Sequence, residues 1–430
     1  MEIQSQRQIT HPKGLYVLFF VEMWERFSFY GMRALLVLFL TKELLMQDAQ
    51  AGRIYGFYNG FVYLTPILGG LLADRVLGYK RSIFLGGILM MFGHLSLAFN
   101  GLWTFYLGLG LLIAGNGFFK PCISTVVGRI YELEGKPELK DSGFTIFYFG
   151  INLGAILGTW ACANLAEYKG WHYGFGIAAA GMLIGLIIFG VLGRRVNPDA
   201  FLANGNQSIS DPKEEDPKQN RERIFAILVF SAVTITFWAS YEQIGSSLSL
   251  IIDRYVDRNI LGWEVPAANY QSLNPLFVVS LALVISWIWK KFEESGRHIS
   301  TVTKFCLGLI VLGFGYLLLS LVTFGSTEKF SSIWIILSIL LLTIGELFLS
   351  PVGLSLVTKL APVKVASMMM GFWFLANFFA HVLAGELTRY MGGRESLSGF
   401  FLIFFFLPMI TAIGLFLFRK KLESWMHGVK

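Results

Sequence analysis

Charged side chains are scarce in this sequence. Asp, Glu, Lys and Arg make up 15% of its 430 residues, where an ordinary soluble domain carries about a quarter. A soluble fold of this size could not hide the apolar surface that comes with 55% hydrophobic residues. Cysteine is sparser still. Cys122, Cys162 and Cys306 fall within or at the ends of apolar segments, so they read as small packing residues. Neither a disulfide framework nor a metal-ligand spacing can be built from them, and no metal is expected. The alternating segments of roughly ten residues that mark a membrane β-barrel are absent. The first apolar segment lacks a small-residue cleavage site and carries Glu22, Glu25 and Arg26. It is therefore expected to stay in the mature protein and not to leave as a signal peptide.

What the sequence does have is repeated apolar runs of about 20 residues, the length that crosses a bilayer core. Phe175–Leu192, Phe305–Phe324 and Phe400–Phe418 are examples. In lipid, backbone amides must be satisfied within the segment, so these runs must be helices. Twelve spans are expected, at 14–41, 53–73, 82–99, 103–127, 141–163, 174–192, 224–251, 270–290, 304–324, 332–356, 366–389 and 398–418. The longest polar stretch, 194–223, contains Asn204-Gly205-Asn206, Pro212 and Pro217 and reads as a solvated linker. It separates a six-span segment, 1–193, from a second six-span segment with a tail, 224–430. The expectation is an all-α membrane protein of two six-helix bundles.

The net charge of +7 does not point to nucleic acid, because the basic residues sit between apolar runs and form no stripe or polar module. They gather instead in alternate connections, in a ratio of about three to one, which places both termini in the cytoplasm of a cell (inner) membrane.

Ionisable residues inside a span are costly and usually face the protein interior or a water-filled cavity. Span 1 holds Glu22, Glu25, Arg26 and Arg33, span 4 holds Lys120, span 7 Glu242 and span 10 Glu346. At about 100° per residue, Glu22, Glu25, Arg26, Tyr30 and Arg33 form one polar stripe, with acids and bases at the i, i+3 and i+4 spacings that pair on a helix. Two carboxylates beside an arginine can hold a proton whose affinity depends on whether the arginine is engaged elsewhere. Lys120 follows Gly115-Asn116-Gly117 and precedes Pro121; its buried charge needs an anion, either a glutamate or a substrate carboxylate. Aromatic residues make up 16% of the chain and most must pack or face lipid. Tyr30, Tyr63, Trp238 and Trp373 are singled out for their nearness to charges and motifs.

Several collinear motifs resemble the proton-dependent oligopeptide transporter family of the major facilitator superfamily. Glu22-Met-Trp-Glu25-Arg26 resembles its ExxER segment, and Gly69-Gly-Leu-Leu-Ala-Asp74-Arg75-Val-Leu-Gly78-Tyr-Lys-Arg81 its first signature. Phe144-Thr-Ile-Phe-Tyr148-Phe-Gly-Ile-Asn152-Leu-Gly154 is similar to the second. Gly-Asn-Gly-Phe-Phe-Lys120-Pro, Phe237-Trp238-Ala-Ser-Tyr-Glu242-Gln243-Ile-Gly-Ser-Ser, Gln271-Ser-Leu-Asn274-Pro275, Glu346-Leu-Phe-Leu-Ser350-Pro-Val-Gly-Leu-Ser355 and Met370-Gly-Phe-Trp373 resemble spans 4, 7, 8, 10 and 11.

The resemblance implies a major facilitator fold and a symporter that imports di- and tripeptides by alternating access. Protons would be the coupling ion, no other cofactor is expected, and the chain would act as a monomer in the lipid bilayer. It implies that Arg26 and Lys120 meet the peptide carboxylate, and that Asn152, Asn274 and Glu346 bind its amino terminus. Tyr30, Tyr63, Trp238 and Trp373 would line the pocket, with Arg33 and Asn377 also among the substrate-binding positions. Glu22, Glu25, Arg26 and Glu242 would handle the proton. Arg33 with Glu242 and Lys120 with Glu346 would form two gates. Phe29 stands where many relatives have tyrosine, so a hydroxyl is missing, and Asn377 is polar where the family varies. Segment 194–223 is too short and polar to hold the extra helix pair found in many bacterial relatives.

Three other readings compete: a carrier for sugars or drugs, an intramembrane protease built on Gly353-Leu-Ser355 with His381, and a passive channel. The span 7, 8 and 10 motifs argue against the first. Ser355 already belongs to the span 10 motif, so no enzyme is expected. Buried acid–base clusters suit alternating access better than a hydrated pore.

Overall fold

A computed structural model describes residues 10–202, 216–296, 299–362 and 365–428. Helices account for nearly all of it. They are α1 (Lys13–Lys42), α2 (Asp48–Leu72), α3 (Tyr79–Leu97), α4 (Leu102–Leu133), α5 (Lys140–Lys169), α6 (Trp171–Leu192), α7 (Pro217–Tyr241), α8 (Ser247–Tyr255), α9 (Leu273–Glu294), α10 (Thr301–Thr323), α11 (Ser332–Leu360), α12 (Ala366–Leu387), α13 (Leu397–Leu417) and α14 (Arg419–Trp425). Helical segments occupy most of each of the twelve expected stretches, with a break inside 224–251. Ten helical segments among the described residues are long and apolar enough to cross a membrane. α1 and α3 stand outside those ten, and α1 does so with four charges, Glu22, Glu25, Arg26 and Arg33, between its terminal Lys13 and Lys42. Large apolar side chains such as Leu107, Ile187, Leu321 and Phe416 are exposed, as they must be on surfaces that meet lipid.

The expected span 224–251 differs from the structure at both ends. Its helix begins earlier, at Pro217, inside the stretch read as linker. Asp216 caps it, its carboxylate accepting the Lys218 N–H at 2.9 Å, and Pro217 sits at the first helical position, where a missing N–H costs nothing. Asn204-Gly205-Asn206 and Pro212 lie outside the described residues. At the far end α7 stops at Tyr241, passes through a tight turn at Glu242–Ile244 and resumes as α8. A broken helix at membrane depth needs substitutes for its lost backbone bonds. Gln243 Nε2 donates to the carbonyls of Ala239 and Ala384, both at 3.0 Å, and Ser249 Oγ donates to the Ile244 carbonyl at 2.8 Å. The polar run Gln243-Ile-Gly-Ser-Ser therefore serves the break.

The chain forms two compact units, each built from several chain segments. The first contains the described residues of Met1–Phe29, Thr65–Ala155 and Gly176–Gly205. Here α2 and α4 touch backbone to backbone: a Cβ added to Gly69 would lie 2.0 Å from the Gly117 carbonyl oxygen. Small residues permit such contacts between membrane helices. α2 ends in a wide helical turn, Ala73–Leu77, closed by the Gly78 N–H to the Ala73 carbonyl at 2.9 Å. Gly78 then takes φ +73°, a conformation glycine adopts without a Cβ penalty. Asp74 steadies the bend by accepting the Tyr79 hydroxyl at 2.8 Å.

The second unit contains the described residues of Tyr30–Leu64, Ile156–Phe175 and Asn206–Lys430. Its core is aromatic. Phe230 meets Phe305 edge to face at 4.9 Å, and Tyr316 packs on Phe404 at 5.2 Å while donating its hydroxyl to the Ser240 carbonyl at 2.6 Å. The connection after α8 holds two short ladders, Val256–Asp257 parallel to Phe330–Ser331 and Asn259–Ile260 antiparallel to Trp263–Glu264.

Candidate functional site

The single polar stripe expected on α1 is divided between two charge clusters, one in each unit. In the first unit Arg26 bridges two carboxylates one turn apart. Its Nε lies 3.1 Å from Glu22 Oε1 and also contacts Glu25 Oε2. All three are buried, Glu25 completely. Glu22 Oε2 and Glu25 Oε1 accept no hydrogen bond among the described residues, so either carboxyl has an oxygen on which a proton can sit. Half-buried Lys120 is within Coulombic reach of both. The cluster thus carries two formal negative and two formal positive charges. Phe29, expected as a loss, supplies a face for the cation: the Arg26 guanidinium sits 5.2 Å from its ring centre, an attraction of about 0.5–2 kcal/mol. Asn152 is buried on α5 and donates to the Tyr148 carbonyl at 2.9 Å.

In the second unit Arg33 lies between two helices. Its Nε donates to Tyr55 Oη at 2.8 Å, and its Nη2 contacts Glu242 Oε2. The rings of Tyr30 and Tyr55 flank it at 5.9 and 5.7 Å. The helix break puts Glu242 at the end of α7, buried against this guanidinium. His381 Nδ1 lies 3.6 Å from Glu242 Oε2, and its ring stacks on Tyr63 at 4.7 Å. Arg33 and Glu242 thus form a buried ion pair.

Room for this arrangement comes from Gly245, whose added Cβ would fall 1.8 Å from Tyr55 Oη and 3.5 Å from Arg33 Nη2. Gly245→Ala should displace Tyr55 and destabilise the purified protein by about 1–3 kcal/mol. Adding Tyr55→Phe should recover part of that loss. Thermal melting of the purified variants would check both; an unchanged melting temperature for Gly245→Ala would show that the helices give way at this contact without cost.

Glu346, the second acid of this unit, accepts the Tyr241 hydroxyl at 2.6 Å and the Asn274 amide at 2.8 Å. Both donors fall on Oε2. Asn274 also donates to Thr343 Oγ1 at 3.2 Å. Trp238 meets Tyr241 edge to face at 5.2 Å. Trp373 is buried against Gly353, and the Asn377 amide donates to the Trp373 carbonyl at 2.9 Å. Tyr55, Tyr241 and His381 are the residues that sequence reasoning did not assign to the site. Tyr241 adjoins Glu242 inside a motif already noted, whereas Tyr55 and His381 reach the charges only through tertiary packing. No group of three or more His, Cys, Asp or Glu among the described residues has a metal-holding arrangement.

The family model described as the POT family matches residues 80–206 and 200–394. The chain belongs to the POT family. Among its relatives, a di-/tripeptide transporter of Lactococcus lactis subsp. lactis is 32% identical, with 97% of each chain covered. The peptide transporter YePEPT of Yersinia enterocolitica is 32% identical with 87% of each covered. A crystal structure of a peptide transporter POT in complex with sulfate superposes with a TM-score of 0.90 at 31% identity, over 97% of this chain and 96% of that one. The POT fold seen here is the all-α membrane fold of the major facilitator type.

Proposed function

We propose that the chain is a proton-coupled symporter that carries di- and tripeptides across a membrane by alternating access. One observation carries this reading, the buried cluster of Glu22, Glu25, Arg26 and Lys120. With both acids ionised its formal charge is zero. A peptide carboxylate meeting Arg26 and Lys120 would leave one uncompensated negative charge in a buried site, which is costly. One proton on Glu22 or Glu25 removes that cost. Substrate and proton therefore bind better together than apart, which is the thermodynamic requirement for symport. Relatives named as peptide and di-/tripeptide transporters support the substrate class.

In this reading Asn152, Asn274 and Glu346 serve the peptide's amino end. Tyr30, Tyr63, Trp238, Trp373 and Asn377 shape its side-chain pocket. Arg33 with Glu242 closes one gate, and Lys120 and Glu346 are the charges of the other. α1 and α3 complete twelve spans, arranged as 1–193 and 224–430 about the linker 194–223. The bias of basic residues supports cytoplasmic termini in a cell membrane, and a single chain supplies all the charges the cycle needs.

The test is uptake of labelled dialanine into liposomes holding the purified protein, with an inward proton gradient. Accumulation above the external concentration is expected, and it should collapse with a protonophore. Equal uptake with and without the gradient would refute coupling, and uptake of a sugar in preference to dialanine would refute the substrate class.

A further inference from the structure

One ionisable residue beside the charge clusters has no part in the scheme above. His381 lies in the middle of α12, 2% exposed, with Nδ1 3.6 Å from the Glu242 carboxylate and its ring against Tyr63. Its place is fixed by close helix packing. A Cβ on Gly56 of α2 would lie 2.6 Å from the His381 carbonyl oxygen, and one on Gly385 would lie 2.3 Å from the Gly52 carbonyl oxygen. α2 thus holds the imidazole over Glu242 from one side while α1 brings Arg33 from another. The titratable and charged groups around it are Glu242 at the end of α7, Arg33 and Tyr30 on α1, Tyr55 and Tyr63 on α2 and, beyond Glu242, Tyr241 on α7, Glu346 on α11 and Tyr316 on α10.

We propose that His381 is a second proton-binding residue of the transport cycle, taking up a proton when Arg33 leaves Glu242. This rests on the symport reading above. While Arg33 is engaged, guanidinium and carboxylate cancel, and a protonated imidazole would add an unbalanced buried charge. When Arg33 withdraws, Glu242 remains as a buried anion. A proton from water on His381 then forms an imidazolium–carboxylate pair of zero net charge, and the proton returns to water when Arg33 comes back. Breaking the ion pair and binding a proton become one event. A carboxylate alone could do the same, but imidazole is the side chain whose ordinary titration range lies nearest neutral pH. His381 thereby extends coupling toward neutral pH.

The experiment is the pH profile of gradient-driven dialanine uptake for the wild type, His381→Gln and His381→Asn, each first shown to be monodisperse and to melt as the wild type does. In both variants the alkaline limb of the profile should move toward acid, with uptake near pH 7 reduced roughly tenfold. Superimposable profiles for variants and wild type would overturn the proposal. So would failure of both variants to fold, since that would make the ring a packing element. A wild type that accumulates no peptide at any pH would instead refute the symport reading itself.

Discussion

Glu25→Gln should abolish accumulation of dialanine against a gradient, by at least about 100-fold in the steady-state ratio of driven to undriven uptake, while peptide exchange continues. The expectation follows from counting charge around Arg26. The wild-type cluster holds Glu22 and Glu25 against Arg26 and Lys120, with Arg26 in contact with both acids. The amide introduced by the substitution fills the same space and can still accept from Arg26, so the fold should survive. The cluster, however, becomes permanently positive by one, as if a proton had been bound for good. A peptide carboxylate then restores neutrality with no proton required. In the wild type, peptide affinity should rise as pH falls through the range in which the cluster takes up its proton. In the variant it should lose most of that slope. Substrate still crosses, but no proton has to join it at this cluster, so the gradient no longer drives peptide binding there. Counterflow and proton-driven uptake, measured side by side at two pH values, separate the outcomes. Normal accumulation by Glu25→Gln would show that Glu25 only holds helices together.

Why some of this is legible from sequence follows from how each part is encoded. Apolar runs encode the helices, because lipid leaves the backbone no other way to satisfy itself, and helical segments occupy most of each of the twelve stretches. The cost of charge in a span likewise marks Glu22, Glu25, Arg26, Arg33, Lys120, Glu242 and Glu346 as residues with work to do. Partnership is less visible. A helical wheel places Glu22 through Arg33 on one face, yet Arg26 stays with the acids of its own helix and Arg33 pairs with Glu242, 209 positions away. Angle around a helix is local information; depth along it and the identity of the facing helix are not. The α7 break is hidden for a related reason. Hydropathy carries on through Tyr241 into α8, and only the side-chain bonds of Gln243 and Ser249 show what replaces the interrupted ladder. His381 enters the sequence reading only as the partner of Ser355 in the protease alternative, because a lone histidine in an apolar run has no periodicity; its stack on α2 and its carboxylate on α7 come from tertiary packing.

Blocking either end of dialanine should weaken its competition for uptake by about 10- to 150-fold, corresponding to a lost charge-assisted hydrogen bond of ~1.5–3 kcal/mol. A free dipeptide is a zwitterion, and each end calls for a different group. Glu346 suits the ammonium. Tyr241 and Asn274 both donate to its Oε2, which holds the carboxylate in one orientation, and neither of them takes up Oε1. Arg26 and Lys120 suit the carboxylate, for the reason of charge balance given above. The assignment of ends is tested separately from the fact of discrimination, by a double-mutant cycle. Glu346→Gln should bind free and N-acetylated dialanine alike, while still rejecting the C-amidated form. Lys120→Ala should do the reverse. If both variants keep the wild-type preference for free ends, the two charges are gates without substrate contact, and the termini must be recognised by other residues. If Glu346→Gln loses discrimination at both ends together, Glu346 acts on the cycle as a whole, and its role is conformational.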